Sequence, residues 1–374
     1  MITSLIEKAN KISIQSELSP GLVTELEEYI KLHPGARFYH HPLYLKVLSL
    51  ESRLPYSIII SRNSEGAING FIYLLETRGI SLGPRAVISS KRISSLPRSS
   101  ISGPLTDNVS ITLQLLEKAK KMCDSRAGFM LQVKTNFNIN NIDSAFNSID
   151  WRNTYIKKIP PKGADLNLKK NTKYDIKRCL MKADENKIKF REAESLNDFK
   201  EWYKLYLLIM RYHRVHARSF EFFKLCRDIL KPAGLMQLNL AIIEKGSSYE
   251  ILSGNFNFIF RNIYMSGFKA GQINKNNLLA GDFLVYNEIL LMQERDILYY
   301  DLGETPDNHQ NLINYKLKWG AEPERVFHNF YGHNAQLVKK GLDFKGDTSL
   351  STKLWRHVPL IITEIAGKFI NTRL

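Results

Sequence analysis

Cysteine is scarce in this chain: 374 residues contain three, with no paired spacing. They are Cys123, Cys179 and Cys226. A disulfide framework normally shows an even, closely spaced set, and a structural zinc site shows pairs such as Cys-x-x-Cys. The sequence therefore argues against both kinds of site. We expect a protein of the reducing cytoplasm that binds no metal.

Long apolar runs are also missing. No uninterrupted stretch could span a bilayer, and the first twenty residues lack the basic start and apolar run of a signal peptide. Even so, 44% of the residues are hydrophobic and 11% are aromatic, which is ample for a packed core. The length suggests two domains.

Acidic residues are outnumbered, with 37 Asp and Glu against 53 Lys and Arg, so the net charge is +16. The segment 157–189 contributes strongly, with eleven basic and four acidic residues. Such a field attracts phosphate in nucleic acid, nucleotide cofactors or anionic lipid headgroups. An ordinary solvated lysine-rich surface would have the same composition. Segment 77–106 has no acidic residue and many Ser, Gly and Pro, which predicts a mobile loop.

A short pattern occurs twice along the chain. Residues 58–73 and 241–258 each run from an apolar strand through a polar turn into a second strand, with a glycine before an aromatic. This predicts two β-hairpins, each between helical segments. Two similar α/β halves are the simplest explanation.

The remaining elements follow from periodicity and capping residues. Asp107 or Asn108 can cap a helix to about Asp124, and Ser195 with Asp198 forms a capping-box pattern. A further helix is predicted over 278–294, with Leu279, Phe283, Tyr286 and Leu290 inward. The predicted strands are 129–133, 235–244, 250–268, 297–302 and 325–331.

Three motifs together resemble the FemABX-like branch of the GNAT acyltransferases, which includes the BioF2-like acetyltransferase domain. One is the basic run 171–178, which predicts a capped helix start. The second is the helix 278–294 leading into Tyr300-Asp301-Leu302-Gly303. The third is Tyr315-Lys316-Leu317-Lys318-Trp319-Gly320, where the family shows an aromatic-Lys pair and a glycine.

The resemblance covers residues 35–335 and implies an α+β (mixed α/β) fold of two tandem GNAT-like domains. Each would be a mixed, mostly antiparallel sheet flanked by helices. The expected boundaries are 1–155 for the N-terminal GNAT-like domain and 156–335 for the C-terminal, BioF2-like one. Residues 336–374 would form a tail with an amphipathic helix, which could pack on the body or rest on an anionic membrane surface.

The implied chemistry is direct acyl transfer, which needs an oxyanion stabiliser and a path for the amine proton but no protein nucleophile. The sequence fits this, since no G-x-S-x-G nucleophile elbow occurs. By resemblance Lys316 faces the donor ester or the oxyanion. A solvated lysine on a helix is the alternative. Asp301 could take the amine proton or cap the following loop.

The donor is left open between acyl-CoA and aminoacyl-tRNA. The turn after the central strand could offer backbone amides to a CoA pyrophosphate, but it lacks the usual basic-x-x-Gly-x-Gly spacing. The candidate cofactor-binding residues there are Gly267, Lys269, Gly271, Asn274 and Lys275.

Arg211, Tyr212 and Tyr315 are the candidate substrate-binding residues, because the helix with Arg211 lines the acceptor cleft by resemblance. The acceptor would be an amine or hydroxyl of a small-molecule or lipid-linked precursor of the cell envelope, peptidoglycan or polysaccharide. A tRNA partner and peripheral membrane contact stay open. The alternative of another class is a non-catalytic nucleic-acid-binding protein on a degenerate GNAT scaffold, in which Lys316 would be dispensable.

Overall fold

The structure is a computed structural model that describes residues 10–81, 87–89, 91–213, 215–332, 360, 363–365 and 367. The helices are α1 (Pro20–Leu32), α2 (Pro42–Ser52), α3 (Val109–Asp124), α4 (Lys170–Glu185), α5 (Leu196–His213), α6 (Phe220–Leu225), α7 (Ala280–Glu294) and α8 (Gln310–Lys318). Short 3₁₀ turns lie at Phe38–His40, Ile139–Asn141 and Ile273–Leu278, and a π-helical turn lies at Cys226–Leu230.

The strands are β1 (Lys11–Gln15), β2 (Tyr56–Arg62), β3 (Ile68–Thr77), β4 (Ile80–Ser81), β5 (Val87–Ser89), β6 (Lys91–Ser94), β7 (Phe129–Thr135), β8 (Asn147–Lys158), β9 (Ile188–Glu192), β10 (Met236–Lys245), β11 (Ser248–Phe260), β12 (Ile263–Gly271), β13 (Tyr299–Thr305) and β14 (Glu322–Tyr331). The chain forms two compact units. Of the described residues, unit 1 contains those of 1–151 and 326–332, and unit 2 contains those of 152–325 together with 360, 363–365 and 367.

Unit 1 has a mixed sheet in the order β1-β2-β3-β6-β7-β14. Only β6 and β7 run parallel, and the other neighbours are antiparallel. Ile59, Ile72 and Leu131 from its strands pack with Ile111 and Leu115 of α3 in a buried core. Asn108 caps α3 by accepting hydrogen bonds from the Ser110 and Ile111 amides, as its sequence position predicts.

Unit 2 repeats this pairing pattern in the order β13-β12-β11-β10-β9, with the unit 2 part of β8 beside β13. Here β12 and β13 are the parallel pair. One sheet face packs an aromatic cluster from α5, α6 and the strands, which comprises Trp202, Tyr206, Phe222, Phe223, Phe256 and Phe268. The other face packs on α7, with Tyr264, Ile289 and Tyr300 in its core.

Several predicted elements are confirmed. Both hairpins form, as β2–β3 and β10–β11. The capping box is present, since the Ser195 hydroxyl accepts from the Asp198 amide at 3.1 Å and the Asp198 carboxylate accepts from the Ser195 amide at 3.0 Å. The predicted fold class, an α+β fold in which each half is a mixed, mostly antiparallel sheet flanked by helices, is confirmed by the structure. The domain boundaries stay a prediction.

Three local predictions are wrong. Segment 77–106 is not simply a loop, because β6 pairs within the unit 1 sheet and Ile93 and Leu96 are fully buried. The stretch 250–268 is two strands, since Arg261 takes a left-handed conformation (φ 56°) and turns β11 into β12. The basic helix begins at Lys170, and its N-cap Lys169 makes no side-chain capping bond, so Asn171 does not start it.

The inward face predicted for α7 is confirmed at Phe283, which is buried, and at Leu279 and Tyr286, which pack against buried clusters, but it is wrong at Leu290. Leu290 is 37% exposed, whereas Leu284, Val285 and Glu288 are buried. The helix is apolar almost all round, so periodicity alone does not select one face. The predicted helix in the tail 336–374 lies largely outside the described residues, of which 360, 363–365 and 367 are helical. Among the described residues, no helix is both long and apolar enough to cross a membrane.

Candidate active site

The site lies in unit 2, where the parallel strands β12 and β13 stop pairing. They are paired only through three residue pairs, from Ile263 with Tyr299 to Met265 with Asp301. Beyond them β12 has an extra residue, Gly267, in its register with β11. At the same level β13 has an irregularity in its pairing with β8. Such bulges bend a strand and free backbone groups from the ladder.

Glycine is required at both irregularities. A Cβ at Gly267 would lie 2.8 Å from the Phe258 ring and 3.0 Å from the Phe256 carbonyl oxygen. Gly303 on β13 has φ +81°, a left-handed conformation that side chains rarely adopt. Its hypothetical Cβ would contact the Ser266 carbonyl oxygen at 3.4 Å, so the two bulges adjoin.

Lys316 on α8 reaches this irregular region and is 5% exposed. Its Nζ donates to the carbonyl oxygens of Gly303 at 2.6 Å and Glu304 at 3.1 Å, and lies 5.4 Å from the centre of the Tyr155 ring. An ammonium has three N–H donors. Among the described residues no acceptor takes the third, so it can serve a substrate. The alternative of a solvated surface lysine is therefore wrong.

Burial, and after it the positive charge of Lys269, lower the pKa of Lys316 to about 7. Asp301 and Glu304 act in the opposite direction without reversing the shift. A group with this pKa exchanges protons near neutral pH, as proton transfer in catalysis requires.

Asp301 organises the bulge of β13. Its Oδ1 accepts from the Thr154 hydroxyl at 2.5 Å and from the Gly303 amide at 2.8 Å. The carboxylate thus caps the turn whose carbonyl groups hold Lys316. Both residues predicted as catalytic therefore meet at Gly303. Whether Asp301 also takes a proton stays a prediction.

Lys269 and Tyr315 lie together on the α8 side of β12, with the Lys269 Nζ 5.8 Å from the ring centre. Burial lowers the pKa of Lys269, and the charges of Glu288 and Asp282 oppose this. Lys318 lies 4.8 Å from the same ring and forms hydrogen bonds of 2.9 and 2.8 Å with Asp282. Asp282 is in the first turn of α7, where an anion-binding helix would offer free amides.

Of the other predicted binding residues, four line a pocket between α5 and the segment after β12, and Lys275 lies in an ion pair instead. A pocket of about 440 Å³ is lined by α5 and by the segment after β12, and it brings together Arg211, Tyr212, Gly271 and Asn274. It is largely apolar, with Leu205, Leu208 and Ile273 also in its wall. Lys275 instead forms an ion pair with Glu250. The described residues contain no cluster of His, Cys, Asp or Glu suited to a metal ion.

Sequence reasoning missed a buried carboxylate beneath the parallel pair. Glu288 of α7 has no exposed surface and accepts four hydrogen bonds of 2.6–2.9 Å. The donors come from β10, β11 and β13, and are Asn239, Asn255, Asn257 and Tyr300. Asparagines at alternate positions of apolar strands are the sequence signal that could have revealed it, because a buried amide needs a polar partner.

Comparison with solved structures identifies the fold. FemX matches with a TM-score of 0.66 over 88% of this chain and 99% of its own, at 14% identity. The chain has a FemX-like fold. A C-terminal domain assigned to a lysylphosphatidylglycerol synthetase from Agrobacterium fabrum matches with a TM-score of 0.53 over 85% of this chain and 95% of its own, at 12% identity.

L-PGS from Bacillus licheniformis matches with a TM-score of 0.52 over 92% of this chain and 99% of its own, at 11% identity. No protein-family model and no curated protein sequence matches the chain. The similarity is therefore one of fold alone, and the function has to be argued from the site.

Proposed function

We propose that the protein is an acyltransferase that moves an aminoacyl group from aminoacyl-tRNA to an amine or hydroxyl of a cell-envelope precursor by direct transfer. The observation that carries the proposal is Lys316. It is buried, held by two backbone carbonyls, and has one N–H without an acceptor among the described residues. A preorganised donor of this kind stabilises the oxyanion of a tetrahedral intermediate.

The reaction then needs no covalent enzyme intermediate. The acceptor nitrogen or oxygen attacks the ester carbonyl, and the Lys316 ammonium donates to the oxyanion. Collapse of the intermediate breaks the bond to the ribose oxygen, which takes a proton, while the acceptor loses one. A lysine whose pKa is about 7 can give a proton to the ribose oxygen and then take the proton that the acceptor loses. The lysine is therefore in its starting protonation state after one turnover.

The site favours an RNA ester over a CoA thioester. The first turn of α7, the place for a pyrophosphate, contains Asp282 paired with Lys318. A carboxylate there offsets the positive helix end and repels a second anion. The similar structures named for lysylphosphatidylglycerol synthesis support an aminoacyl product. Arg211 in the pocket beside β12 would bind an anionic group of the acceptor.

The test uses a mixture of tRNAs that carry labelled amino acids, with a UDP-linked peptidoglycan precursor as acceptor. The measurement is the transfer of labelled amino acid from the tRNA to the acceptor. We expect transfer by the wild type and loss in Lys316→Met, with each rate expressed per folded molecule. Normal turnover in Lys316→Met would overturn the role of Lys316. Absence of transfer by the wild type from any donor would favour a non-catalytic nucleic-acid-binding protein.

Melting with acetyl-CoA or free CoA separates the donors, because a ligand that binds only the native state raises its stability. We expect no shift at millimolar ligand. A saturable shift of several degrees would instead assign an acyl-CoA donor.

A further inference from the structure

The outward face of α4 combines positive charge with one exposed aromatic ring. Tyr174 is 68% exposed. At 3.6 residues per turn, Lys170, Lys177 and Arg178 lie within about 60° of it around the helix axis. All three are exposed. These four residues are called the α4 face below.

Most of this charge is not neutralised. No acidic side chain of the described residues lies within ion-pair distance of Lys170 or Lys177. Arg178 meets Asp175 at 3.6 Å, and both side chains of that pair are largely exposed, which makes it weak. The α4 face therefore presents its field to solvent and to an anionic partner.

We propose that the α4 face is the surface on which the protein binds the RNA of its donor, an inference that rests on the proposed function. Its cations contact phosphates of the backbone, and the Tyr174 ring stacks on an unpaired base. Phosphate neutralisation combined with a stacking platform is how proteins bind single-stranded nucleic acid without reading its sequence.

The helix also fits RNA better than a membrane. An interfacial helix buries a broad apolar face in the lipid headgroup region. The apolar side of α4 is already used inside unit 2, where Ile176, Cys179 and Ala183 are buried. Its outward side offers only Tyr174 and Met181 as exposed large apolar residues. That area is too small to insert, but one ring is enough to stack on a base.

The helix α4 contacts the end of α8, the helix that carries Lys316. The Thr172 hydroxyl on the first turn of α4 donates to the Lys318 carbonyl oxygen at 3.1 Å, and Lys318 is the last residue of α8. Ile176 packs in the same buried cluster as Trp319. RNA held by α4 is thus held by a helix that contacts α8, the helix that carries Lys316.

The binding experiment uses a synthetic RNA hairpin with a single-stranded 3′ overhang, titrated by fluorescence anisotropy at several salt concentrations. For Lys170→Glu/Lys177→Glu we expect the slope of log affinity against log salt to fall by about 2, one unit per lost phosphate contact. For Tyr174→Ala we expect about tenfold weaker binding, and for Tyr174→Phe no change, because the ring alone stacks.

The matched control is Lys46→Glu/Lys200→Glu, which removes the same charge from exposed lysines of α2 and α5. It should keep the wild-type slope to within half a unit. Equal losses in both double variants would show that only net charge matters and would overturn the proposal. Tighter binding of the α4 face to phosphatidylglycerol vesicles than to RNA, lost in the α4 variants, would overturn it in favour of a membrane.

Lys316→Met separates this proposal from the proposed function. We expect it to bind the hairpin like the wild type while transferring nothing. Lys316-dependent transfer with RNA binding unaffected by the α4 variants would contradict the α4 face alone. RNA binding that depends on the α4 face, without transfer from any donor, would contradict the acyltransferase alone.

Discussion

Each unit contains one parallel strand pair with a buried lysine near it, Lys134 in unit 1 and Lys316 in unit 2, and the surroundings of these two lysines differ. In unit 1 the chain leaving β6 continues along β7: the Ser95 amide donates to the Gln132 carbonyl oxygen, and the Ser102 amide donates to the Lys134 carbonyl oxygen. Lys134, 4% exposed, donates from Nζ to the Leu96 carbonyl oxygen at 2.8 Å. The segment that follows β6 therefore occupies the position beside β7 where the β6–β7 pairing ends.

In unit 2 the chain beyond Met265 no longer pairs with β13 and pairs only with β11, through Ser266 and then from Phe268 to Gly271. Lys316 is as deeply buried as Lys134, but it comes from a helix beyond the strand and contacts the bulge at Gly303. The comparison teaches that a buried lysine is not itself a sign of function. What distinguishes Lys316 is that the strands beside it stop pairing and that one of its N–H groups has no acceptor among the described residues.

The largest expected effect separates the two lysines. Lys316→Met should lower the transfer rate about 10²- to 10³-fold, the usual cost of removing one oxyanion donor. Lys134→Met should leave the rate within about threefold and lower the free energy of unfolding by about 1–3 kcal/mol, because the Leu96 carbonyl loses its partner. Single-turnover kinetics and urea unfolding of both variants measure this. If Lys134→Met lowered the transfer rate as much as Lys316→Met, the distinction between a structural Lys134 and a catalytic Lys316 would be wrong.

Replacing one glycine by alanine in each unit further tests the difference between the two units. Gly267→Ala should cost about 1–3 kcal/mol of stability and also reduce transfer, because the bulge must shift from Phe256 and Phe258. Gly103→Ala in unit 1 meets Thr135 Cγ2 at 2.6 Å and should cost as much stability. Its transfer rate per folded molecule should stay normal. Unfolding curves and rates corrected for folded fraction provide both readings.

The titration of Lys316 gives a smaller, pH-dependent effect. Its folded pKa of about 7 lies below the ordinary value of 10.5. Between these values the unfolded chain holds a proton that the native chain has lost, so the free energy of unfolding rises with pH. The slope is at most about 1.4 kcal/mol per pH unit. Urea unfolding across this range should show the rise in the wild type and a flatter line in Lys316→Met. Parallel lines would contradict a lowered pKa.

The smallest effects should be equal in the two units. Ser195→Ala removes the cap of α5, and Asn108→Ala removes that of α3. Each should cost about 1 kcal/mol without changing transfer. Thermal unfolding with rates measured at a low temperature tests this. A change in rate for Asn108→Ala would mean that unit 1 contributes to catalysis through α3.

Much of the fold could be predicted because its local patterns are independent of tertiary context. The hairpins, the Asn108 and Ser195 caps and the position of α7 follow from alternation and capping chemistry. The β6 strand could not, because its serines and lack of acid suggest a loop and only burial of Ile93 and Leu96 reveals it. Lys316 was found through resemblance, but its burial depends on contacts with β13, which no local pattern contains.

The buried Glu288 failed prediction for a different reason. A glutamate counts as polar in any periodicity, so the face of α7 that contains it is assigned to solvent. Its four donors come from strands up to 49 residues away in sequence. No window of sequence shows that Asn239, Asn255 and Asn257 converge on one carboxylate.

The same network constrains how the sequence can diverge. Replacing Glu288 by leucine would leave the Asn255 amide nitrogen without its acceptor and would remove one of two acceptors from Asn239 and from Asn257. Replacing one asparagine would leave the carboxylate short of a donor. Each single substitution in this network therefore lowers stability, although replacing the whole network by apolar residues could give a protein of equal stability. The glutamate, its asparagines and Tyr300 should therefore be inherited as one block, present together or absent together among descendants of this chain.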